Sequence, residues 1–183
     1  MNLDLYNDGF FKWHIDYVHD ISIAVGEAFS KQYNFESIVD YGCGIGSYLQ
    51  GCYEMGVAIK GYEISDHAKR HTHEAIQPFI EYKDILTLKP ERYDVCMCIE
   101  VAEHIDPEDS ERLVDLLTKT SDFIVFSAAP PGQSGTGHIN CRSHQYWIEL
   151  FKARGFKLTR RFLESWIDAP DYVLKNLMIY EQT

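Results

Sequence analysis

A glycine-rich turn after a short apolar run constrains the fold of this chain most strongly. The β-branched run at 37–41 predicts a strand, and Gly42, Gly44 and Gly46 follow it at every second position. Glycines at this spacing let the backbone turn sharply and approach a ligand closely. A helix is predicted directly afterwards, at 47–55. The pattern predicts a strand–turn–helix unit with a ligand site at the carboxyl end of the strand.

Predicted strands and helices alternate along the rest of the chain. The strands are predicted at 37–41, 57–63, 79–83, 93–99, 123–127, 156–163 and 174–181, and the helices at 11–31, 47–55, 67–74, 108–120 and 143–154. This alternation predicts a mainly parallel sheet with helices on both faces. The connection at 164–173 is too short for a typical crossover helix, so we expect the last two strands to pair antiparallel. The predicted fold class is an α/β three-layer sandwich with seven strands.

The length of 183 residues, with no Pro/Gly/Ser-rich linker, predicts one domain. We divide that domain, 1–183, into an N-terminal helix and lid (1–31), a cofactor-binding core (37–127), an acceptor loop (128–142) and a C-terminal helix and hairpin (143–183). No run of 18 apolar residues occurs, and the N-terminus has no signal-peptide pattern, so no membrane segment is expected.

Charge and cysteine content exclude further classes. The formal net charge is −11, the opposite of what binding to a nucleic acid backbone requires. The five cysteines include no C-x-x-C pair, and the spacing of Cys96 and Cys98 places both on one face of a strand. We therefore expect buried free thiols in a reducing compartment, which predicts a cytoplasmic location.

An acidic residue ends the second predicted strand. Glu63 lies 21 residues after Gly42, where a carboxylate accepts hydrogen bonds from both hydroxyls of a ribose. The turn and the acid together predict an adenosine-containing cofactor. A dinucleotide fold requires a glycine at position 47, where this chain has Ser47, so an NAD-linked reductase is a weaker alternative.

Two segments resemble a known family. Val39-Asp40-Tyr41-Gly42-Cys43-Gly44-Ile45-Gly46 resembles motif I, D/E-x-G-x-G-x-G, of the class I, seven-strand S-adenosylmethionine-dependent methyltransferases. Ile99-Glu100-Val101-Ala102-Glu103-His104-Ile105 resembles the E-x-x-E-H segment of ubiquinone-type O-methyltransferases. The resemblance implies the strand order 3-2-1-4-5-7-6 with the last strand antiparallel, and S-adenosylmethionine as cofactor, with S-adenosylhomocysteine as product.

The resemblance also implies cofactor-binding roles for nine residues. Those near the methionine part are Asp40, Gly42, Gly44, Gly46 and Glu100, and those near the ribose and adenine are Glu63, Ile64, Asp84 and Ile85. Two of the assignments have structural alternatives, because Asp84 also suits a turn at a strand end and Glu100 also suits a loop or a helix cap.

Methyl transfer from a sulfonium mainly requires a well-positioned acceptor, and an oxygen acceptor also gains from a general base. His104 and His138 are the candidate catalytic residues. Their structural alternatives are a packing or helix-start histidine and a solvated loop histidine. The aromatic residues of the segment 6–14 are candidates for a lid over the site or for a hydrophobic staple of the first helix.

No metal site is expected. His67, His71 and His73 lie in a polar segment that is typical of a solvated helix face, and no cluster of Asp and Asn ligands is recognisable near the methyl site. The predicted function is therefore an S-adenosylmethionine-dependent methyltransferase acting on an oxygen of a small-molecule acceptor. The alternatives are a protein or RNA methyltransferase and a non-catalytic cofactor-binding partner subunit.

Overall fold

A seven-stranded sheet runs through the part of the chain that the structure describes, residues 2–160 and 170–183 of a computed structural model. Its strands are β1 (Ser37–Tyr41), β2 (Ala58–Glu63), β3 (Ile80–Tyr82), β4 (Val95–Ile99), β5 (Phe123–Ser127), β6 (Phe156–Arg160) and β7 (Met178–Gln182). Their order is β3-β2-β1-β4-β5-β7-β6. This order confirms both the predicted fold class and the topology that the family resemblance implies.

The strands β1 to β5 are parallel to one another, and β7 is antiparallel to both β5 and β6. The predicted antiparallel pairing of the last two strands is therefore confirmed. Their predicted limits differ from the structure: 161–163 lie outside the described residues, and β7 begins at Met178 rather than at 174. A short helix precedes β7, because Pro170 has the fixed φ of a helix start and Asp171 places a negative charge in the first turn.

Helices cover both faces of the sheet. They are α1 (Asp8–Tyr17), α2 (His19–Tyr33), α3 (Ser47–Glu54), α4 (Ser110–Thr120), α5 (His144–Lys152) and α6 (Asp171–Asn176). The single helix predicted at 11–31 is wrong in one respect, since it is broken at Val18, whose φ of −130° lies outside the helical range. The break separates α1 from α2, which begins at His19.

Glycines bring α2 and α3 into direct backbone contact. A Cβ atom on Gly26 would lie 2.2 Å from the carbonyl oxygen of Tyr48, and one on Gly51 would lie 2.1 Å from the carbonyl oxygen of Ile23. Both positions therefore exclude every larger residue. This close packing holds α3, the helix that follows the glycine turn, firmly against its neighbour.

The helix predicted at 67–74 is wrong. A 3-10 turn at Ala68–Arg70 is the only helical part of that segment. Of its eight residues, only Ala68 and Thr72 are buried, so a helix there would have almost no apolar face to bury. Most helical stability in proteins comes from such a face, and short polar segments without one form turns.

Two apolar clusters fill the two sides of the sheet. One includes Phe126, Trp147 and Phe151 and packs β5 against α5, and the other includes Phe29 and Leu49 and packs α2 and α3 against the opposite face. All five cysteines are free thiols. Within the described residues, no helix has the length and apolar character needed to cross a bilayer.

Candidate active site

The glycine turn connects β1 to α3 at the carboxyl edge of the sheet. Gly42, Gly44 and Gly46 have φ values of +82°, +56° and +80°, a left-handed region that other residues rarely adopt. The backbone N–H of Gly42 donates to the carbonyl oxygen of Tyr62 at 2.8 Å. A Cβ atom on Gly42 would lie 2.4 Å from Cγ2 of Val101. Positive φ and lack of space both require glycine there.

The third glycine has a packing role. Gly46 caps the N-terminus of α3, and a Cβ atom there would lie 2.7 Å from Cδ1 of Ile76 and 2.8 Å from Cδ1 of Ile80. Its open side therefore faces the core beneath the turn. Gly42 and Gly44 line the cavity described below, whereas Gly46 does not.

Glu63 at the end of β2 is held by backbone amides. Its Oε2 accepts a hydrogen bond from the N–H of Gly44 at 3.0 Å, and its Oε1 accepts one from the N–H of Ser65 at 2.8 Å. Burial raises the pKa of Glu63, and these backbone hydrogen bonds partly offset the increase. A carboxylate oxygen has two lone pairs, so each oxygen retains acceptor capacity toward a ligand.

Asp40 is almost fully buried beneath the turn. Its Oδ1 has no hydrogen-bond partner among the described residues. Burial, followed by the charge of Glu63, raises the pKa of Asp40 to about 7. A buried acceptor without a donor is costly, so this oxygen is suited to a donor that a ligand supplies.

The end of β3 provides the next predicted residues. Asp84 begins a 3-10 turn, and its Oδ1 accepts a hydrogen bond from the N–H of Leu86 at 2.9 Å. It caps a turn, as the structural alternative predicted, and it also lines the cavity together with Ile64 and Ile85. The two interpretations of Asp84 are therefore compatible.

One cavity of about 1020 Å³ connects these residues with the loops that follow β4 and β5. Apart from Gly46, every predicted cofactor or catalytic residue lines it. The set is Asp40, Gly42, Gly44, Glu63, Ile64, Asp84, Ile85, Glu100, His104 and His138. The volume lies at the upper end of the range for ligand pockets, which leaves room for two ligands side by side.

Glu100 follows β4 and has a strained backbone. Its φ is +54°, although it is not a glycine. Its N–H donates to Ser127 at the end of β5, and its carboxylate accepts from Nδ2 of Asn176 at 3.2 Å. Strained backbone held in place by surrounding hydrogen bonds is concentrated at functional sites. Asn176 lies 76 positions away in sequence, and no sequence signal indicated its part in the site.

Glu103 is fully buried next to Glu100. Its Oε1 accepts a hydrogen bond from the N–H of Ala129, whereas its Oε2 has no hydrogen-bond donor among the described residues. Burial and the charge of Glu100 raise the pKa of Glu103. The backbone carbonyl of Glu103 also accepts from the N–H groups of Ile139 and Asn140, both at 2.9 Å. Glu103 thus joins the loop after β4 to the loop after β5.

The two predicted histidines come together above this carboxylate pair. The ring centroids of His104 and His138 lie 5.0 Å apart. Nδ1 of His104 contacts the Tyr6 hydroxyl at 2.8 Å and the carbonyl of Gly137 at 3.3 Å, and Nδ1 of His138 contacts the carbonyl of Gln133 at 3.1 Å. Burial lowers the pKa of His104 to about 4, so this imidazole is neutral at pH 7.

The N-terminal segment forms a wall of the cavity. The aromatic residues that line it are Tyr6, Phe10, Phe11, Trp13 and His14. Their contacts include an edge-to-face pair between Tyr6 and Phe10, with ring centroids 5.2 Å apart. The sequence allowed two interpretations of these residues, a lid over the site and a hydrophobic staple of the first helix. The structure places them over the glycine turn and against His104.

A cluster of polar contacts joins this segment to the turn after β2. The carboxylate of Asp8 lies 3.2 Å from Nδ1 of His67, 2.7 Å from Nη1 of Arg70 and 3.1 Å from Nε2 of His71. The sequence had suggested a solvated helix face for these two histidines. They instead hold the first turn of α1 in place.

The chain matches the model of a protein family described as "Methyltransferase domain" over residues 16–122, more than half of its length. Two curated ubiquinone biosynthesis O-methyltransferases are similar to it. The protein from Albidiferax ferrireducens is 28% identical over 102 residues, which are 50% of this chain and 40% of that protein. The protein from Nitrosomonas europaea is 29% identical over 102 residues, 50% of this chain and 43% of that protein. The matched segments therefore span less than half of these relatives.

Solved structures share the fold over a larger part of the chain. The SAH-bound magnesium protoporphyrin IX methyltransferase of Synechocystis PCC 6803 is 18% identical with a TM-score of 0.72, covering 99% of this chain and 98% of that one. A sugar N-methyltransferase of Streptoalloteichus is 12% identical with a TM-score of 0.70, covering 95% and 92%. With a seven-stranded sheet of the expected order and a family model that matches more than half of its residues, the chain belongs to the methyltransferase-domain family.

Proposed function

We propose that this chain transfers a methyl group from S-adenosylmethionine to an oxygen atom of a small-molecule acceptor. The observation that carries the proposal is the single cavity. The glycine turn with Asp40 and Glu63 forms one end of it, and Glu100, His104 and His138 form the other. A cofactor at the first end brings its methyl group to an acceptor at the second.

The residues at the glycine-turn end fit S-adenosylmethionine. The unpaired Oδ1 of Asp40 suits the ammonium group of the methionine part, directly or through water. Glu63 has acceptor capacity for the ribose hydroxyls, because each carboxylate oxygen has two lone pairs and the N–H groups of Gly44 and Ser65 approach different oxygens. The lack of space at Gly42 keeps the turn free of side chains. When bound, the cofactor supplies an electrophilic methyl group on a positively charged sulfur.

The remaining roles follow from positions along the cavity. We assign the adenine to Ile64, Asp84 and Ile85, and we assign the region below the sulfur to Glu100. The raised pKa of Glu100 is caused by burial, and hydrogen bonds from Ser127 and Asn176 limit the increase. Gly46 supports this site by fixing the start of α3.

The other end of the cavity favours an acceptor with a hydroxyl group and an apolar body. The polar side chains at this end accept hydrogen bonds when they are deprotonated, which is what the hydroxyl group of an acceptor requires. They are Glu100, Glu103, His104 and His138. The opposite wall is apolar and includes Leu5, Phe10 and Val101, among others. The N-terminal segment covers this end of the cavity, and its Tyr6 hydroxyl contacts Nδ1 of His104. This closure supports a small acceptor rather than a macromolecule.

The acceptor oxygen has to lose its proton during the transfer. His104 is neutral at pH 7 and held by two oxygens, so it orients the acceptor and takes a proton less readily than an exposed histidine. Nδ1 of His138 lies next to the carbonyl oxygen of Gln133. When Nδ1 carries the proton of the neutral ring, Nε2 is the nitrogen that can accept another. The five free thiols support the accompanying proposal of a cytoplasmic location.

Calorimetry with S-adenosylmethionine, S-adenosylhomocysteine and NAD tests the cofactor. We expect binding of the first two and none of NAD, and NAD binding alone would contradict the proposal. A screen that detects released S-adenosylhomocysteine, with matched aromatic and aliphatic alcohols and amines, then tests the acceptor. Turnover only with amines would replace the oxygen acceptor by nitrogen. Cofactor binding without turnover, in this screen and with RNA or protein acceptors, would favour a non-catalytic subunit.

A further inference from the structure

We propose that Ser65 is a positioning residue that fixes the N-terminal segment over the acceptor end of the cavity through the backbone of Tyr6. Ser65 does not line the cavity, and the sequence analysis did not single it out. It lies two residues after Glu63, where the chain leaves β2. Its importance for an acceptor rests on the proposed function, whereas its hold on the N-terminal segment can be measured without an acceptor.

The backbone and the side chain of Ser65 bond to different parts of the site. Its N–H donates to Oε1 of Glu63 at 2.8 Å. Its hydroxyl donates to the carbonyl oxygen of Tyr6 at 2.7 Å and accepts from the N–H of His67 at 3.3 Å. A serine hydroxyl has one proton to donate, and Tyr6 receives it. Substitution of the side chain therefore removes the contact with Tyr6 and leaves the N–H for Glu63 in place.

Tyr6 extends this constraint to the acceptor end. Its side chain is buried, and its hydroxyl lies 2.8 Å from Nδ1 of His104. A Cβ atom on Gly137 would lie 2.7 Å from the same hydroxyl, so the loop after β5 packs closely against it. Ser65 thus holds the backbone of Tyr6 on one side, and the hydroxyl contacts the acceptor end on the other. The position of the Tyr6 ring beside His104 therefore depends on where Ser65 holds the chain.

The N-terminal segment has few buried contacts with the rest of the fold. In α1 only Phe11 is buried, and the other nine described residues of that helix are half-buried or exposed. The contact of Asp8 with Arg70 lies at the surface, where the two side chains are 47% and 67% exposed, and exposed ion pairs contribute little to stability. Segments with few buried contacts open locally at a low free energy. Each buried anchor of this segment therefore has a large share in holding it closed.

The hydrogen bond between Ser65 and Tyr6 is such an anchor, because both residues are buried. Without the Ser65 hydroxyl, the carbonyl oxygen of Tyr6 loses its donor in the interior, and a buried acceptor without a donor is costly. The exposed carboxylate of Asp8 is hydrated when it loses a partner. Loss of the Ser65 hydroxyl should therefore loosen the segment more than loss of an exposed contact.

Hydrogen exchange of the backbone amides of 8–17 tests the hold on the segment without cofactor or acceptor. We expect Ser65→Ala to lower their protection about 5- to 30-fold, and Ser65→Thr, which keeps the hydroxyl, to retain most of it. Ser30→Ala is the matched control, because the buried hydroxyl of Ser30 donates to the carbonyl oxygen of Gly26 within α2. Unchanged protection in Ser65→Ala, or an equal loss in Ser65→Thr or Ser30→Ala, would overturn the proposal.

Calorimetry and steady-state kinetics separate the two ends of the cavity. Ser65→Ala should bind S-adenosylhomocysteine as the wild type does, because the N–H that serves Glu63 remains. Its kcat/KM for the acceptor that the screen identifies should fall about 5- to 30-fold. An equal loss of cofactor affinity would place the role of Ser65 at the cofactor end and refute the proposal. Absence of cofactor binding in the wild type would reject the proposed function, and hydrogen exchange would still decide whether Ser65 holds the segment.

A double variant tests whether Ser65 acts through Tyr6. Tyr6→Phe removes the hydroxyl that contacts His104. If Ser65 positions this hydroxyl, Tyr6→Phe should lower kcat less in Ser65→Ala than in the wild type, because substitutions within one hydrogen-bonded network are not additive. Thermal unfolding of each variant ensures that the kinetics are measured on folded protein. Additive losses of kcat would show that the two residues act independently and would overturn the assignment.

Discussion

The two ends of the cavity hold their acidic residues in different ways. At the glycine-turn end, Glu63 accepts hydrogen bonds from two backbone N–H groups, which belong to the turn itself and to Ser65. At the other end, Glu103 lies against Glu100, and one of its oxygens has no donor among the described residues. Backbone amides stabilise a buried carboxylate in its charged form, whereas a second carboxylate opposes it.

The difference shows which groups position the polar side chains at each end of the cavity. The glycine-turn end is arranged by the backbone before a ligand arrives, so ligand binding there has little to reorganise. The acceptor end is built from side chains of three separate segments, the N-terminus and the loops after β4 and β5. One oxygen of Glu103 there has no donor among the described residues, and we propose that a bound acceptor supplies one.

The largest expected effect on the free energy of unfolding is at Gly42, where the glycine turn contacts Val101 in the loop after β4. Gly42 and Gly56 have nearly equal φ values of +82° and +83°, but a Cβ atom on Gly56 would meet nothing within 4 Å. Gly56→Ala should lower the free energy of unfolding by about 1–2 kcal/mol through backbone strain alone. Gly42→Ala should lower it by about 1–3 kcal/mol more, through overlap with Val101. Denaturant unfolding measures both.

A double variant sharpens this comparison. Gly42→Ala combined with Val101→Ala removes the overlapping methyl groups and should recover most of the additional loss. Equal losses in the two single variants would show that the contact between the glycine turn and the loop after β4 is not tight. No recovery in the double variant would show that the loss has another cause.

Substitution of Glu63 tests whether its carboxylate binds the ribose at the glycine-turn end. Removal of a charged hydrogen-bonding partner costs about 1.5–3 kcal/mol, so Glu63→Ala should bind S-adenosylhomocysteine about 10- to 150-fold more weakly. Calorimetry measures the change. Glu81→Ala is the control, because Glu81 lies on the neighbouring strand β3 and pairs with Lys60 and Lys83 instead. Similar affinity in the wild type and Glu63→Ala would refute the ribose role.

Asp40 is the exception at this end, because no backbone amide holds its Oδ1. Its pKa in the folded protein is about 7, above the ordinary value of 3.8, so the folded state binds more protons between these values. Its contribution to the free energy of unfolding is therefore full below about pH 4 and is lost as the pH rises to about 7, with a slope of at most about 1.4 kcal/mol per pH unit. Unfolding of Asp40→Asn across this range should lack that slope.

Cofactor binding should respond to pH in the opposite direction. A ligand ammonium favours the charged form of Asp40, so affinity for S-adenosylhomocysteine should rise by up to about tenfold per pH unit between pH 5 and 7. The difference between the wild type and Asp40→Asn isolates this effect from that of Glu63. A wild-type affinity with the same pH dependence as Asp40→Asn would exclude the contact.

Local signals made the glycine-turn end predictable from the sequence. The turn, the acid after the second strand and the strand order all follow from short spacings and from the resemblance. The helix boundary at Val18 and the turns at 67–74 were missed, because burial in the finished fold decides both. Contacts such as that of Glu100 with Asn176 join residues 76 positions apart, and no local pattern indicates them.

The smallest expected effect concerns the lid. Tyr6 supplies one of two oxygens on Nδ1 of His104, and the carbonyl of Gly137 supplies the other. A neutral hydrogen bond contributes about 0.5–1.5 kcal/mol, so Tyr6→Phe should lower kcat about 2- to 12-fold with the acceptor that the screen identifies. Affinity for S-adenosylhomocysteine should stay the same, because the Tyr6 hydroxyl bonds the acceptor end rather than the glycine turn. Tyr17→Phe, which alters an exposed ring stacked on Trp13, is the control. A change in cofactor affinity without a change in kcat would show that the lid serves the glycine-turn end instead.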